Sequence, residues 1–132
     1  MSIIQLGSKS EYVKIELTPP FSSEGWCQAR VEIAVSGFRG NIEPWLELSD
    51  IKRFATQLLT MYESLQGEAK LQPLEEQLVL VLQAQTGGHI QVQGTAWSKA
   101  TYENKLEFSL QLDQSFLPAT LQQLENAISN AT

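Results

Sequence analysis

Two periods run through the chain. In "YVKIEL", Val13, Ile15 and Leu17 alternate with Tyr12, Lys14 and Glu16, the pattern of a half-buried strand. The same alternation continues through "WCQARVEIAV", with Cys27, Ala29, Val31, Ile33 and Val35 on one face, and through "KLEFSLQL" at 105–112. "IIQL" predicts a short first strand and "IQVQGTAW" a longer one. "IEPWLEL" predicts an edge strand, because Pro44 has no N–H to give to a ladder. "QLVLVLQAQ" is apolar on both faces around 78–82, which predicts a central strand. "AKLQPLEEQ" reads as a short strand or a loop. Gly87 and Gly88 supply the positive φ of a hairpin, while "TPPFSSEG", "SGFRGN" and "SKATYEN" read as loops and turns.

The period lengthens twice. From Ser49 onward Ile51, Phe54, Ala55, Leu58, Leu59, Tyr62 and Leu65 fall on one helical stripe. Ser49 is the expected N-cap, Asp50 suits the positive end of the helix dipole, and Gly67 is the expected left-handed stop. The second change lies inside "KLEFSLQLDQSFLPATLQQLENAI", which opens as a strand and ends with Leu121, Leu124 and Ile128 at helical spacing. Pro118 fits the first turn of that helix. Asp113, Gln114 and Ser115 stand at the joint, where they are expected to satisfy the free N–H groups of a helix start. Helices are therefore predicted over about 49–66 and 115–129.

Many strands with two helices predict the α+β class: a mainly antiparallel sheet with both helices packed on one face. A length of 132 residues suits a single domain spanning 1–132. Its two parts, about 1–67 and 68–132, rhyme. Each has a strand, an aromatic-bearing turn, a strand ending Leu-x-Leu, two polar residues and a helix. An internal duplication explains this, and so do the ordinary needs of any strand-to-helix joint.

Composition narrows the function. The net charge of −6 argues against nucleic acid and against anionic membrane surfaces. No apolar run reaches the roughly 20 residues that span a bilayer. "MSIIQLGSKSEYVKIEL" has no basic start followed by an apolar region, so a cytoplasmic protein is expected. Cys27 is the single cysteine, which rules out an intramolecular disulfide and a cysteine cluster for zinc; its alternating neighbours predict a buried small side chain. His89 is the single histidine and reads as a turn residue after two glycines. No metal-ligand spacing or phosphate loop is present. Glu75 and Glu76 are adjacent, so on an extended segment they point apart and make a poor acid–base pair. No metal, no cofactor and no enzymatic activity are expected.

Several fixed points now allow a comparison: Phe54 and Leu58 in the first helix, Gly67 and Leu71 after it, Gly88, His89 and Gly94 around one hairpin, and Phe108, Asp113 and Gln114 at the last joint. On these the chain, over roughly 31–128, resembles a family of small bacterial domains that includes immunity proteins of the WapI type. The resemblance implies a protein that binds and neutralises a toxin. It carries no site residues with it. A basic toxin would suit the acidic balance, since opposite charge speeds encounter. Two other readings stand beside it: a small-ligand protein or enzyme using a pocket between sheet and helices, and a module that self-associates through a strand edge. The oligomeric state is open.

If a protein partner binds, the expected contact residues are Trp45 with Glu43 and Glu47, and Trp97 with Tyr102 and Glu103. Aromatic side chains rimmed by charge make interface anchors. Phe38 and Trp97 occupy equivalent turns, so the aromatics are expected at one end of the sheet. The alternative is that Trp45 and Trp97 are core residues closing the sheet edge.

Overall fold

The computed structural model describes residues 2–18 and 20–131; Met1, Thr132 and Pro19 of the expected 18–25 loop lie outside them. Ten strands and two helices follow in the order β1 Ser2–Gly7, β2 Tyr12–Leu17, β3 Trp26–Gln28, β4 Arg30–Val35, β5 Phe38–Ile42, β6 Trp45–Glu47, α1 Leu48–Ser64, β7 Glu68–Leu71, β8 Leu78–Ala84, β9 His89–Trp97, β10 Lys105–Asp113 and α2 Leu117–Ser129. Every strand pairing is antiparallel, so the class is α+β as expected. The strands divide into two four-stranded sheets, β1-β2-β4-β5 and β10-β9-β8-β7, and a two-stranded piece, β3-β6. β8 is an interior strand of the second sheet, as its double-sided apolar pattern predicts.

The small piece belongs to the first sheet's last hairpin. Gln28 faces Trp45, and further along Val31 faces Ile42, so one register runs through both ladders. The ladder parts only at Glu43 and Pro44, where proline cannot donate; Ala29 N–H still reaches the Pro44 carbonyl at 2.8 Å. "IEPWLEL" is therefore two strands broken at Pro44. Residues 38–41, expected as part of a turn, form most of β5; the turn itself is Ser36 and Gly37.

The inner faces of both sheets and one side of each helix form a continuous hydrophobic core. α1 contributes Ile51, Phe54, Leu58 and Met61. Leu59 and Leu65, expected on that stripe, are exposed, and Met61 takes the inward place. Burying one such side chain is worth about 1.5–3 kcal/mol before conformational entropy is subtracted. In the second sheet Gly94 lies opposite Phe108, and a Cβ on Gly94 would come within 2.2 Å of the ring. The missing side chain lets the ring lie across β9.

The helices cross between the halves. α1 packs along β7, α2 along β1, and the two pack against each other. At each place a glutamine satisfies an edge-strand backbone group. Lys70 N–H of β7 donates to Gln57 Oε1 at 2.8 Å, and Gln5 N–H of β1 donates to Gln123 Oε1 at 2.8 Å. Thr120 Oγ1 donates to the Gln5 carbonyl at 2.6 Å, completing the second seal. Helix cover of this kind blunts an edge against pairing with another strand.

The helix starts differ from each other. α1 begins one residue before Ser49, with Glu47 as N-cap; in its capping box the well-formed bond runs from Glu47 N–H to the Asp50 carboxylate at 3.2 Å. It ends at Leu65, not Gly67, with φ 57° and its N–H donating to the Met61 carbonyl. At the second joint Asp113 caps a short 3-10 turn, Gln114–Phe116, by accepting the Ser115 N–H at 3.0 Å. The Ser115 hydroxyl first, and then the Ser115 N–H, hold its carboxyl below the usual range, with the nearby His89 adding a smaller pull. Asp113 is thus a structural cap; α2 starts at Leu117, two residues later than about 115, with Pro118 in its first turn.

Candidate protein-binding surface

Side chains alternate along an extended strand, so Asn41, Glu43, Trp45 and Glu47 all leave the same face of the long hairpin. Asn41, Glu43 and Trp45 are exposed there, Trp45 at 43%, and Pro44 and Leu46 point inward. Glu43 and Trp45 line a shallow depression of about 420 Å³ whose other side is Gln77 and residues 98–100 of the β9–β10 loop. The fold has thus brought residues far apart in sequence onto one end of the molecule.

The loop across the depression is well braced. Ser98 N–H donates to the Asn104 carbonyl at 2.8 Å, and Asn104 N–H to Ser98 Oγ at 3.2 Å. Tyr102 takes a left-handed φ of 59°, with its N–H donating to the Lys99 carbonyl. That conformation is uncommon for a bulky residue. It turns the Tyr102 ring edge-on to Trp97, with centroids 5.2 Å apart, while Lys105 Nζ lies 5.4 Å from the Trp97 ring centre. Trp97 is half-buried in this clamp. Glu103 accepts from Thr101 Oγ1 at 3.0 Å and pairs with Lys99 at 3.7 Å.

The six expected contact residues therefore fall into three settings. Trp45 and Glu43 line the depression, and Trp97, Tyr102 and Glu103 build the loop on its far side. Glu47 sits at the start of α1, half-buried, with Ser49 Oγ donating to its carboxylate at 3.5 Å. Trp45, at 43% exposed, is not a core residue, whereas Trp97 is half-buried at the end of β9. Phe38 stands apart. It is 63% exposed at the far tip of β5, seven residues from Trp45 along extended chain, or roughly 20 Å at 3.3 Å per residue.

The β7–β8 loop over 72–77, read from the sequence as a short strand or a loop, was not among the expected contact segments. Leu74 there is 79% exposed, the most open large apolar side chain among the described residues. The signal was an apolar residue set between a proline and two glutamates, in a segment read only as strand or loop.

Other chemistry is scattered. Tyr12 OH donates to Glu32 on the outer face of the first sheet, where Lys14 and Arg39 lie 3.7 and 3.9 Å from the same carboxyl. The Tyr12 bond, then Lys14 and Arg39, lower the Glu32 pKa against some desolvation, while the Glu32 bond raises that of Tyr12. His89 is exposed at the start of β9, opposite Asp113. Cys27 is buried, as its neighbours predicted. Among the described residues no three His, Cys, Asp or Glu side chains gather to hold a metal, and no helix is long and apolar enough to cross a membrane.

The fold is similar to that of WHY3 from Arabidopsis thaliana, with 9% identity, a TM-score of 0.59 and 99% of this chain and 88% of that chain covered. A structure described as the plant transcriptional regulator PBF-2 is similar at 8% identity and TM-score 0.56, covering 98% and 81%. A toxin and immunity complex, CdiA-CT/CdiI from Enterobacter cloacae, gives 12% identity and TM-score 0.49, covering 86% of this chain and 98% of that one. At such identities the likeness is one of fold. No curated protein matches the chain in sequence. The model of the immunity protein WapI-like family matches residues 3–131, including nearly all of the N-terminal thirty that the resemblance over 31–128 left out, and the chain belongs to that family.

Proposed function

We propose that this protein is an immunity protein that binds a toxin and blocks it by occupying its surface, without catalysis. The observation that carries this is the family match across residues 3–131. The end of the molecule around Trp45 supports it: an exposed tryptophan and the free Glu43 face a braced loop carrying Trp97, Tyr102 and Glu103. The partner is a basic protein, met in the cytoplasm of the cell that makes this chain. Its basic surface would pair with Glu43 and Glu103, with Glu47 at the margin.

The test is co-expression with the toxin domain encoded beside this chain's gene. Wild type should restore growth and co-purify with the toxin. Association should slow as salt rises from 0.1 to 1 M, because the screening length falls from about 10 Å to about 3 Å. A chain that neither restores growth nor forms a complex is not the immunity protein of that toxin.

A further inference from the structure

The β7–β8 loop lies on the same end as the Trp45 depression. Gln77 lines that depression and is only 4% exposed. It is tied twice to Trp97: the Trp97 N–H donates to its carbonyl at 2.8 Å, and its side-chain amide donates to the Trp97 carbonyl at 3.1 Å. Leu74 precedes it by three residues, so its backbone lies within roughly 10 Å of Gln77 even if that stretch is fully extended.

The loop is pinned on both sides of its tip. Pro73 is buried, and the Gln72 amide donates to the Glu76 carboxylate at 2.8 Å. Leu74 is nevertheless 79% exposed. A leucine held out by a braced loop has little ordering left to lose on binding. Among the described residues Glu43, Glu75 and Glu76 have no cationic partner within 4 Å, so the free charge around the tip is negative.

We propose that Leu74 is the protruding anchor of the partner-binding end, entering an apolar socket rimmed by lysine or arginine on a basic protein, with Glu75 and Glu76 meeting that rim. This rests on the immunity reading and makes it specific. The contact surface is then built from three loops, around Trp45, around Lys99 and around Leu74. The β5 tip at Phe38, roughly 20 Å along the strand from Trp45, stands outside it. Phe38 is also apolar and exposed, but its neighbour Arg39 is cationic and pairs with Glu32.

The experiment measures affinity for the purified, inactivated toxin domain encoded beside this chain's gene, using wild type, Leu74→Ala and Phe38→Ala. Leu74→Ala should weaken Kd by about 10-fold or more, the order expected for losing most of a buried leucine side chain. Phe38→Ala should stay within about twofold of wild type. Residues 72–77 should also gain hydrogen-exchange protection in the complex. Wild-type binding with Leu74→Ala unchanged and 72–77 unprotected overturns the anchor and leaves the immunity reading standing. Failure of wild type itself to bind overturns both. Leu74 is exposed, so its truncation should leave the melting temperature unchanged, and a loss of binding cannot then be assigned to misfolding.

Discussion

On the outer face of the first sheet, Tyr12, Lys14, Glu32 and Arg39 form one connected set of charges across β2, β4 and β5. The matching face of the second sheet carries Gln93 opposite Ser109 and Gln91 opposite Gln111, the last pair joined amide to amide at 3.2 Å. Both faces are polar and both sheets bury their other side, but the first links its charges across three strands, while the second keeps its ion pairs, Lys105–Glu107 and Lys70–Glu68, on its two edge strands with neutral amides between. The acids and bases of the first face largely answer each other. Glu43, Glu75 and Glu76, three of the acids with no cationic partner within 4 Å among the described residues, lie at the loop end, where a charged partner can reach them. The inner faces differ too. Phe108 needs the bare backbone of Gly94, whereas Gly40 in β5 has no neighbour closer than Leu106 at 3.9 Å.

The largest expected contrast is between those two glycines. Gly94→Ala should destabilise by about 1–3 kcal/mol, because Phe108 must leave its place across β9. Gly40→Ala should be neutral or stabilise by up to about 1 kcal/mol, since the space is open and the unfolded chain becomes stiffer. Denaturant melts of the two variants measure this, and equal costs would mean that the ring moves freely.

A smaller effect tests whether the two helix seals are equivalent. Gln57→Ala and Gln123→Ala should each cost about 0.5–1.5 kcal/mol, the net worth of one hydrogen bond. Gln123→Ala leaves the Thr120 bond to Gln5 in place, so it should be the milder of the two. Native-state hydrogen exchange should show the Lys70 amide exposed in one variant and the Gln5 amide in the other.

The subtlest contrast is in pH dependence. Glu32 has a lowered pKa in the fold, so its contribution to stability is present above the unfolded value and is lost as pH falls through the folded one. Tyr12 has a raised pKa, so its contribution is present below its unfolded value near 10 and is lost as pH rises through the folded one. Tyr12→Phe should remove the alkaline loss and shrink the acid loss. Asp113 and Glu68 give the second half an acid-side loss only, which the variant should leave untouched. Melting temperatures of wild type and Tyr12→Phe from pH 2 to 11 decide it; identical curves would show that the pair carries no linkage.

Strands with one buried face were legible because alternation is a direct image of burial: β2, β4 and β10 lie where Val13, Val31 and Leu110 place them. β5 was hidden because only Ile42 of its five residues is buried, so Gly37 and Gly40 dominated the reading as a turn. The α1 start was misplaced by one residue because Ser49 imitates a cap, while the true device pairs Glu47 with Asp50. The aromatic and acidic residues around the Trp45 depression were visible as types. Their assembly was not, because Trp45, Gln77 and Lys99 meet only through tertiary packing.

β1 leaves the ribosome well before Thr120 and Gln123, which close its edge from 115 and 118 residues further along the chain. At roughly 5–20 residues per second the strand waits several seconds with an open edge. α1 can close β7 much sooner, since its partner follows directly in the chain. The nascent protein therefore passes through a stage with one seal made and one outstanding. Its first strand is then exposed to pairing with other nascent chains, and chaperone engagement during synthesis should centre on β1.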